Sequence, residues 1–197
     1  PYCAIAITLP TSGKSHLNKM KETQLLIEII ENNNLWEKEI EIGRNEYLKV
    51  KGSIDTNLYF IKNGSLRIYV VNEYEEHTIR FGYQNNFIVS LDSFITEKPS
   101  DFYIQAIKKT NLKIITKKRF KDLINSNPEL QNLWTNILEQ LILQQLEREK
   151  DILTSSPIER YKRVLKRSPQ LFQEIPNKYI ADYLRMTPET LSRIKKS

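Results

Sequence analysis

The side chains best suited to chemistry stand together near the C-terminus, in Thr187-Pro-Glu-Thr-Leu-Ser-Arg-Ile194 and the two lysines after it. Glu189 and Arg193 are four residues apart, so a helix places them on one face. A carboxylate there accepts from a cytosine N4, and a guanidinium forks onto guanine O6 and N7. Thr190, Ser192, Lys195 and Lys196 add hydroxyl and ammonium groups for base edges or phosphates, with Thr187 and Lys178 flanking them. The plainer reading of the same residues is a solvated helix face.

Other chemistry has little to work with. Cys3 is the single cysteine, and His16 and His77 are the only histidines. That stock excludes a disulfide scaffold and a four-cysteine zinc or iron–sulfur site within one chain. It also leaves no metal cage and no histidine-based catalytic constellation to assemble. No cofactor and no enzymatic activity are expected, and one cysteine fits a reducing, cytoplasmic setting. A haem-ligand role for His77 stays open beside the commoner structural role of a strand histidine. Gly13-Lys14-Ser15 imitates the end of a phosphate-binding loop, but Thr8 stands where the leading glycine belongs. Asp92, Glu97 and Asp101 are three neighbouring carboxylates without an acid–base partner, and read as solvated loop charges.

The elements that must position the C-terminal group can be read locally. Tyr179, Ile180, Tyr183 and Leu184 recur as one apolar stripe of a short helix. Thr187 is a good N-cap, Pro188 suits the first helical position, and Leu191 and Ile194 turn inward. Two short helices joined by a tight turn make a helix-turn-helix, whose second helix enters the DNA major groove. Arg185 occupies the turn position where glycine is usual, at a cost of about 1 kcal/mol if left-handed.

Charge agrees with this placement. The 197 residues carry a net charge of +6, and from position 157 onward ten Lys or Arg face four Asp or Glu. Residues 20–156 are slightly acidic and residues 1–19 slightly basic. A basic tail on a near-neutral body is the footprint of a phosphate-binding segment. No apolar run has membrane length, so no membrane partner is expected.

Upstream, residues 1–19 read as an appended remnant or a leader, with Met20 opening a helix that carries Leu25, Leu26, Ile29 and Ile30 on one face. From 40 to 119, short runs rich in Ile, Val, Tyr and Phe predict strands at 46–50, 57–62, 65–71, 77–81, 87–88, 102–106 and 111–116. Asn63-Gly64 is a hairpin signal between two of them. The spacing predicts an antiparallel sandwich or barrel, a jelly roll first among them, with Phe81, Tyr83, Phe87, Phe94, Phe102 and Tyr103 filling its interior or, as the lesser alternative, lining a ligand pocket. Asn127-Pro-Glu129 opens a long helix to about Leu153, apolar over more than one face. Leu130, Trp134, Ile137 and Leu141 form a heptad-like seam for a second copy. Residues 154–157 read as a hinge and 158–197 as a small helical domain.

In that order, the parts resemble the Crp/Fnr family of bacterial transcription regulators. The resemblance spans 20–197 and is sharpest in Tyr59-Phe-Ile-Lys-Asn-Gly-Ser-Leu-Arg67, Ser156-Pro-Ile-Glu-Arg-Tyr161 and Thr187-Pro-Glu-Thr-Leu-Ser-Arg-Ile194. It implies an α+β fold: a sensor domain over 20–126 built as a double-stranded β-helix (jelly-roll) barrel, a dimerisation helix over 127–153, and a helix-turn-helix domain. It further implies a homodimer on an approximately palindromic double-stranded DNA site, with RNA polymerase as partner if the protein activates. The barrel of such a regulator takes a small-molecule effector, and the matching positions here are Phe87, Ser90, Leu91, Ser100, Asp101 and Tyr103. Members that bind cyclic AMP carry a glutamate where this chain has Ser90, and an Arg-Ser pair where it has Ser100-Asp101. Without that charge-assisted partner a cyclic phosphate loses a few kcal/mol of binding, so no cyclic AMP binding is expected. At the reading helix, Pro188 replaces an arginine common in the family. A rival reading is a ligand-binding signalling module acting through protein contacts, its helix-turn-helix vestigial. A cupin-type barrel enzyme is a third, opposed by the two histidines.

Overall fold

The computed structural model describes residues 5–7 and 14–196, with side chains from 22 to 196. β1 (Ile5–Ile7) and α1 (Lys14–Asn32) begin the chain. The helix thus starts upstream of the expected Met20, and β1 pairs antiparallel with a strand of the main domain. Part of the segment expected to be foreign is therefore integrated; residues 1–4 and 8–13, including Cys3 and Gly13, lie outside the described residues.

The strands follow as β2 (Lys38–Ile42), β3 (Tyr47–Lys49), β4 (Leu58–Asn63), β5 (Ser65–Asn72), β6 (Glu75–Tyr83) and β7 (Phe87–Val89). After a short helix α2 (Leu91–Thr96) come β8 (Tyr103–Ala106) and β9 (Thr110–Ile115). They form two antiparallel sheets, ordered β1-β7-β4-β9-β2 and β3-β8-β5-β6. The jelly-roll expectation is met, with β2 and α2 as elements not foreseen. Asn63-Gly64 does not close a hairpin: β4 and β5 belong to different sheets, and the pair turns the corner between layers. Gly64 has φ +92°, and a Cβ there would collide with the Thr110 side chain and the Lys109 carbonyl. Close approach, as much as the turn, demands glycine. The true hairpin is β5–β6, turning at Glu73 and the fully exposed Tyr74.

Alternation explains how β4 serves two cores at once. Leu58 and Phe60 face the helices, while Tyr59 and Ile61 face the other sheet. The inter-sheet core holds Ile61, Leu66, Ile68, Ile88, Phe102, Ile104 and Leu112, all buried. On the outer face, α1, α3 (Lys117–Ile124) and α4 (Pro128–Leu153) cover Leu58, Phe87, Val89 and Ile115. α4 starts as its sequence dictates: the Asn127 side chain accepts from Leu130 N at 2.9 Å, and Pro128 opens the helix.

The chain ends in α5 (Pro157–Arg167), α6 (Leu171–Glu174), α7 (Asn177–Tyr183) and α8 (Pro188–Lys196). Residues 154–156 separate α4 from α5, with Ser156 capping α5 through its hydroxyl. Val164, Leu171, Ile175, Ile180, Ala181, Leu184 and Leu191 form the core of this helical part. Phe81, Tyr83 and Ile107 of the barrel join the same cluster, so the two parts share a core.

Candidate nucleic-acid interface

α7 and α8 are joined by Leu184-Arg185-Met186-Thr187. Arg185 takes the left-handed conformation at φ +53°, as its turn position required. Ile180, Ala181, Leu184 and Leu191 are buried between the helices, with Tyr179 and Tyr183 half-buried at the edge. Thr187 caps α8: its hydroxyl accepts from Thr190 N at 3.2 Å.

The outward face of α8 is open. Pro188, Glu189, Ser192, Arg193 and Lys196 line one shallow groove of about 540 Å³. The Glu189 carboxyl is held below the usual carboxylate range, first by its own backbone N–H and then by the Thr187 hydroxyl. It is therefore an anionic acceptor that also serves the helix N-terminus. Thr190 is half-buried, and Lys195 donates to Asn177 Oδ1 at 2.9 Å, tying α8 back to α7. Lys178 is exposed, its ammonium 4.5 Å from the Tyr179 ring centre.

The turn is held by a residue that the sequence showed only as part of the Ser156–Tyr161 motif. Arg160 is buried, donating through Nε to the Leu184 carbonyl at 2.9 Å and through Nη2 to the Arg185 carbonyl at 3.0 Å. Its Nη1 donates to the carbonyls of Thr154 and Ser155. One guanidinium thus fastens the hinge to the helix-turn-helix. Beside it, the fully buried Asp151 at the end of α4 is paired with Arg163 (2.9 Å) and Arg167 of α5. The two guanidinium groups offset the cost of burying that carboxylate.

Each of the six positions matched to an effector pocket has contacts of its own. Phe87 lies in the helix-facing core, and Ser90 donates to Asp92 at 2.8 Å. Leu91 opens α2, and the Ser100 hydroxyl accepts from Phe102 N at 3.1 Å. Asp101 is exposed beside Lys51, and Tyr103 stacks on Tyr69. Two of the buried cations that went unforeseen tie barrel strands to helices. Lys49 donates to Ser93 Oγ at 3.1 Å, joining β3 to α2, and burial lowers its pKa. Arg80 donates to the side-chain carbonyls of Gln144 (3.2 Å) and Gln145 (3.3 Å), joining β6 to α4. An inward position in an alternating strand was the available signal for both.

The expected dimer seam faces the chain's own core. Leu130, Ile137 and Leu141 are buried there, and Trp134 packs edge-on against Phe120. Ile142, Leu143, Leu146 and Leu153 form the exposed apolar stripe of α4 instead. Apolar residues run along both faces of this helix, so periodicity alone does not choose between them. Among the described residues there is no cluster of metal-ligating side chains, and no helix is long and apolar enough to cross a membrane.

Comparison with known proteins fits this architecture. Residues 39–127 match the cyclic nucleotide-binding domain family. No curated protein matches the sequence. Among solved structures, FixK2 from Bradyrhizobium japonicum superimposes with a TM-score of 0.68 at 15% identity, over 81% of this chain and 82% of that one. A CooA mutant from Carboxydothermus hydrogenoformans gives 0.67 at 16%, over 87% and 82%. CLP of Xanthomonas campestris, a c-di-GMP responsive global regulator, gives 0.64 at 14%, over 86% and 90%. The chain therefore has the fold of the Crp/Fnr regulators, a cyclic nucleotide-binding type of barrel followed by a helical C-terminal part.

Proposed function

We propose that the protein is a sequence-specific, homodimeric DNA-binding transcription regulator of the Crp/Fnr type. The observation that carries this reading is the exposed polar face of α8, presented by a capped helix on a turn that Arg160 fastens. Glu189 and Arg193 read bases, while Ser192, Lys196 and Lys178 hold phosphates. Two copies join along α4 through the stripe of Ile142, Leu146 and Leu153, whose spacing suits a helix–helix seam.

The barrel takes no cyclic AMP by the family's anion contacts, because Ser90 and Ser100 supply no charge where the carboxylate and arginine are needed. Of its buried cations, Lys49 is committed to Ser93 and Arg80 to α4. A selection of bound duplexes from a random DNA pool tests the reading. Enrichment of a two-fold related motif supports it, and a pool that stays random refutes it.

A further inference from the structure

The first helix of the helix-turn-helix is seated on the barrel's edge strand. β6 ends the four-stranded sheet, leaving backbone groups without a strand neighbour. The Asp182 carboxylate of α7 fills one such gap, accepting from Thr78 N at 2.7 Å. Tyr183 lies against Phe81, ring centres 5.5 Å apart, and beneath the guanidinium of Arg148 at 3.7 Å. Arg185 of the turn meets His77 Nδ1 at 2.7 Å. Arg67, paired with Glu76 at 2.6 Å, reaches the Tyr179 ring at 4.7 Å.

Two features make this seat a brake. The first helix of a helix-turn-helix crosses the DNA backbone, and here that helix is held by a hairpin bearing Glu73, Glu75 and Glu76. Glu76 is neutralised by Arg67, but the exposed Glu73 and Glu75 leave negative charge on the hairpin that opposes a phosphate backbone. The seat is also imperfect. Arg148 is 4% exposed with Nη1 unpartnered among the described residues, and the buried Thr78 Oγ1 is likewise unpartnered. Burial disfavours the Arg148 charge first; Tyr183 and Asp151 favour it, and Arg185 and Arg167 oppose it. An unmet buried donor costs free energy that opening to water recovers.

We propose that the seating of α7 on β6 is an autoinhibitory contact, which opens when the reader engages DNA. This rests on the DNA-reading proposal for its inhibitory effect, but the contact is testable alone. The Thr78 amide is the reporter, because its hydrogen bond crosses between the two parts. Hydrogen exchange is measured on the free full chain, wild type, Asp182→Ala and the barrel-side variant His77→Ala/Phe81→Ala. Thr78 is expected to exchange faster in both variants while the α8 amides stay protected. Unchanged Thr78 exchange in Asp182→Ala overturns the seat.

Affinity is then read on a duplex enriched from a random pool. A reader that is mostly seated loses apparent affinity in proportion, so the barrel-side variant is expected to bind roughly 3- to 10-fold more tightly. Its substitutions lie outside the reading helix, and adding Arg185→Ala to both wild type and variant removes the one cation that His77→Ala frees for a DNA contact. Equal or weaker binding with α8 intact overturns the brake. If neither wild type nor variants enrich any duplex, the DNA-reading proposal fails and the brake with it, while Thr78 exchange still decides the seat.

Discussion

Lys49 places an ammonium inside the barrel with the Ser93 hydroxyl as its hydrogen-bond partner. Burial lowers its pKa, so between the folded value and the ordinary value near 10.4 the unfolded chain binds more protons. Stability of the wild type therefore rises with pH across that window. Lys49→Met is expected to be more stable than wild type at neutral pH by about 1 kcal/mol, with the advantage shrinking as pH climbs toward 10. Denaturant melts at both pH values check this; a constant advantage speaks against a buried charge. On α8, Arg193→Ala is expected to lose about 1–3 kcal/mol of discrimination between bases, while Lys196→Ala weakens all sequences alike. Competition binding on an enriched and a scrambled duplex separates them. The reading face was legible in residue types and spacing because caps and i, i+4 pairs act locally. Lys49, Arg80 and Arg160 were not, because their partners lie 44, 64 and 24 residues away.

Arg160 joins four carbonyls on two elements, the hinge and the turn between α7 and α8. Replacing it with Met leaves these acceptors without a donor, at about 3 kcal/mol or more for a charged donor with several bonds. The helical part is expected to melt before the barrel in Arg160→Met, visible as two transitions in exchange or calorimetry; a single unshifted transition removes the clamp from the account. α4 offers a second contrast. Ile142→Glu with Leu146→Glu is expected to abolish the dimer in sedimentation while leaving the helix content unchanged, whereas Ile137→Glu unfolds the chain. The reverse pattern would restore the seam read from periodicity alone. Helix existence was plain from capping and apolar density, but the choice of inward face was not. α4 carries apolar residues on both sides, and only the packing of α1 and α3 decides which side is covered.

At the scale of the molecule, a basic helical part carrying the whole net charge sits on a near-neutral barrel, sharing the Phe81, Tyr83 and Ile107 cluster. The order of the parts was readable in sequence; their docking was not, since Asp182 and Thr78 lie 104 residues apart. β1 and the early start of α1 escaped for another reason: their pattern is short and weak, and strand pairing with β7 supplies what propensity lacks. The central claim is that two such chains place two α8 helices on successive major grooves. Selection of duplexes from a random pool, followed by sedimentation of the enriched complex, tests it most directly. The account predicts an approximately palindromic site with half-sites about 34 Å apart, one helical turn or a multiple, bound by two chains. A pool without enrichment, or an asymmetric site bound by a single chain, would contradict it.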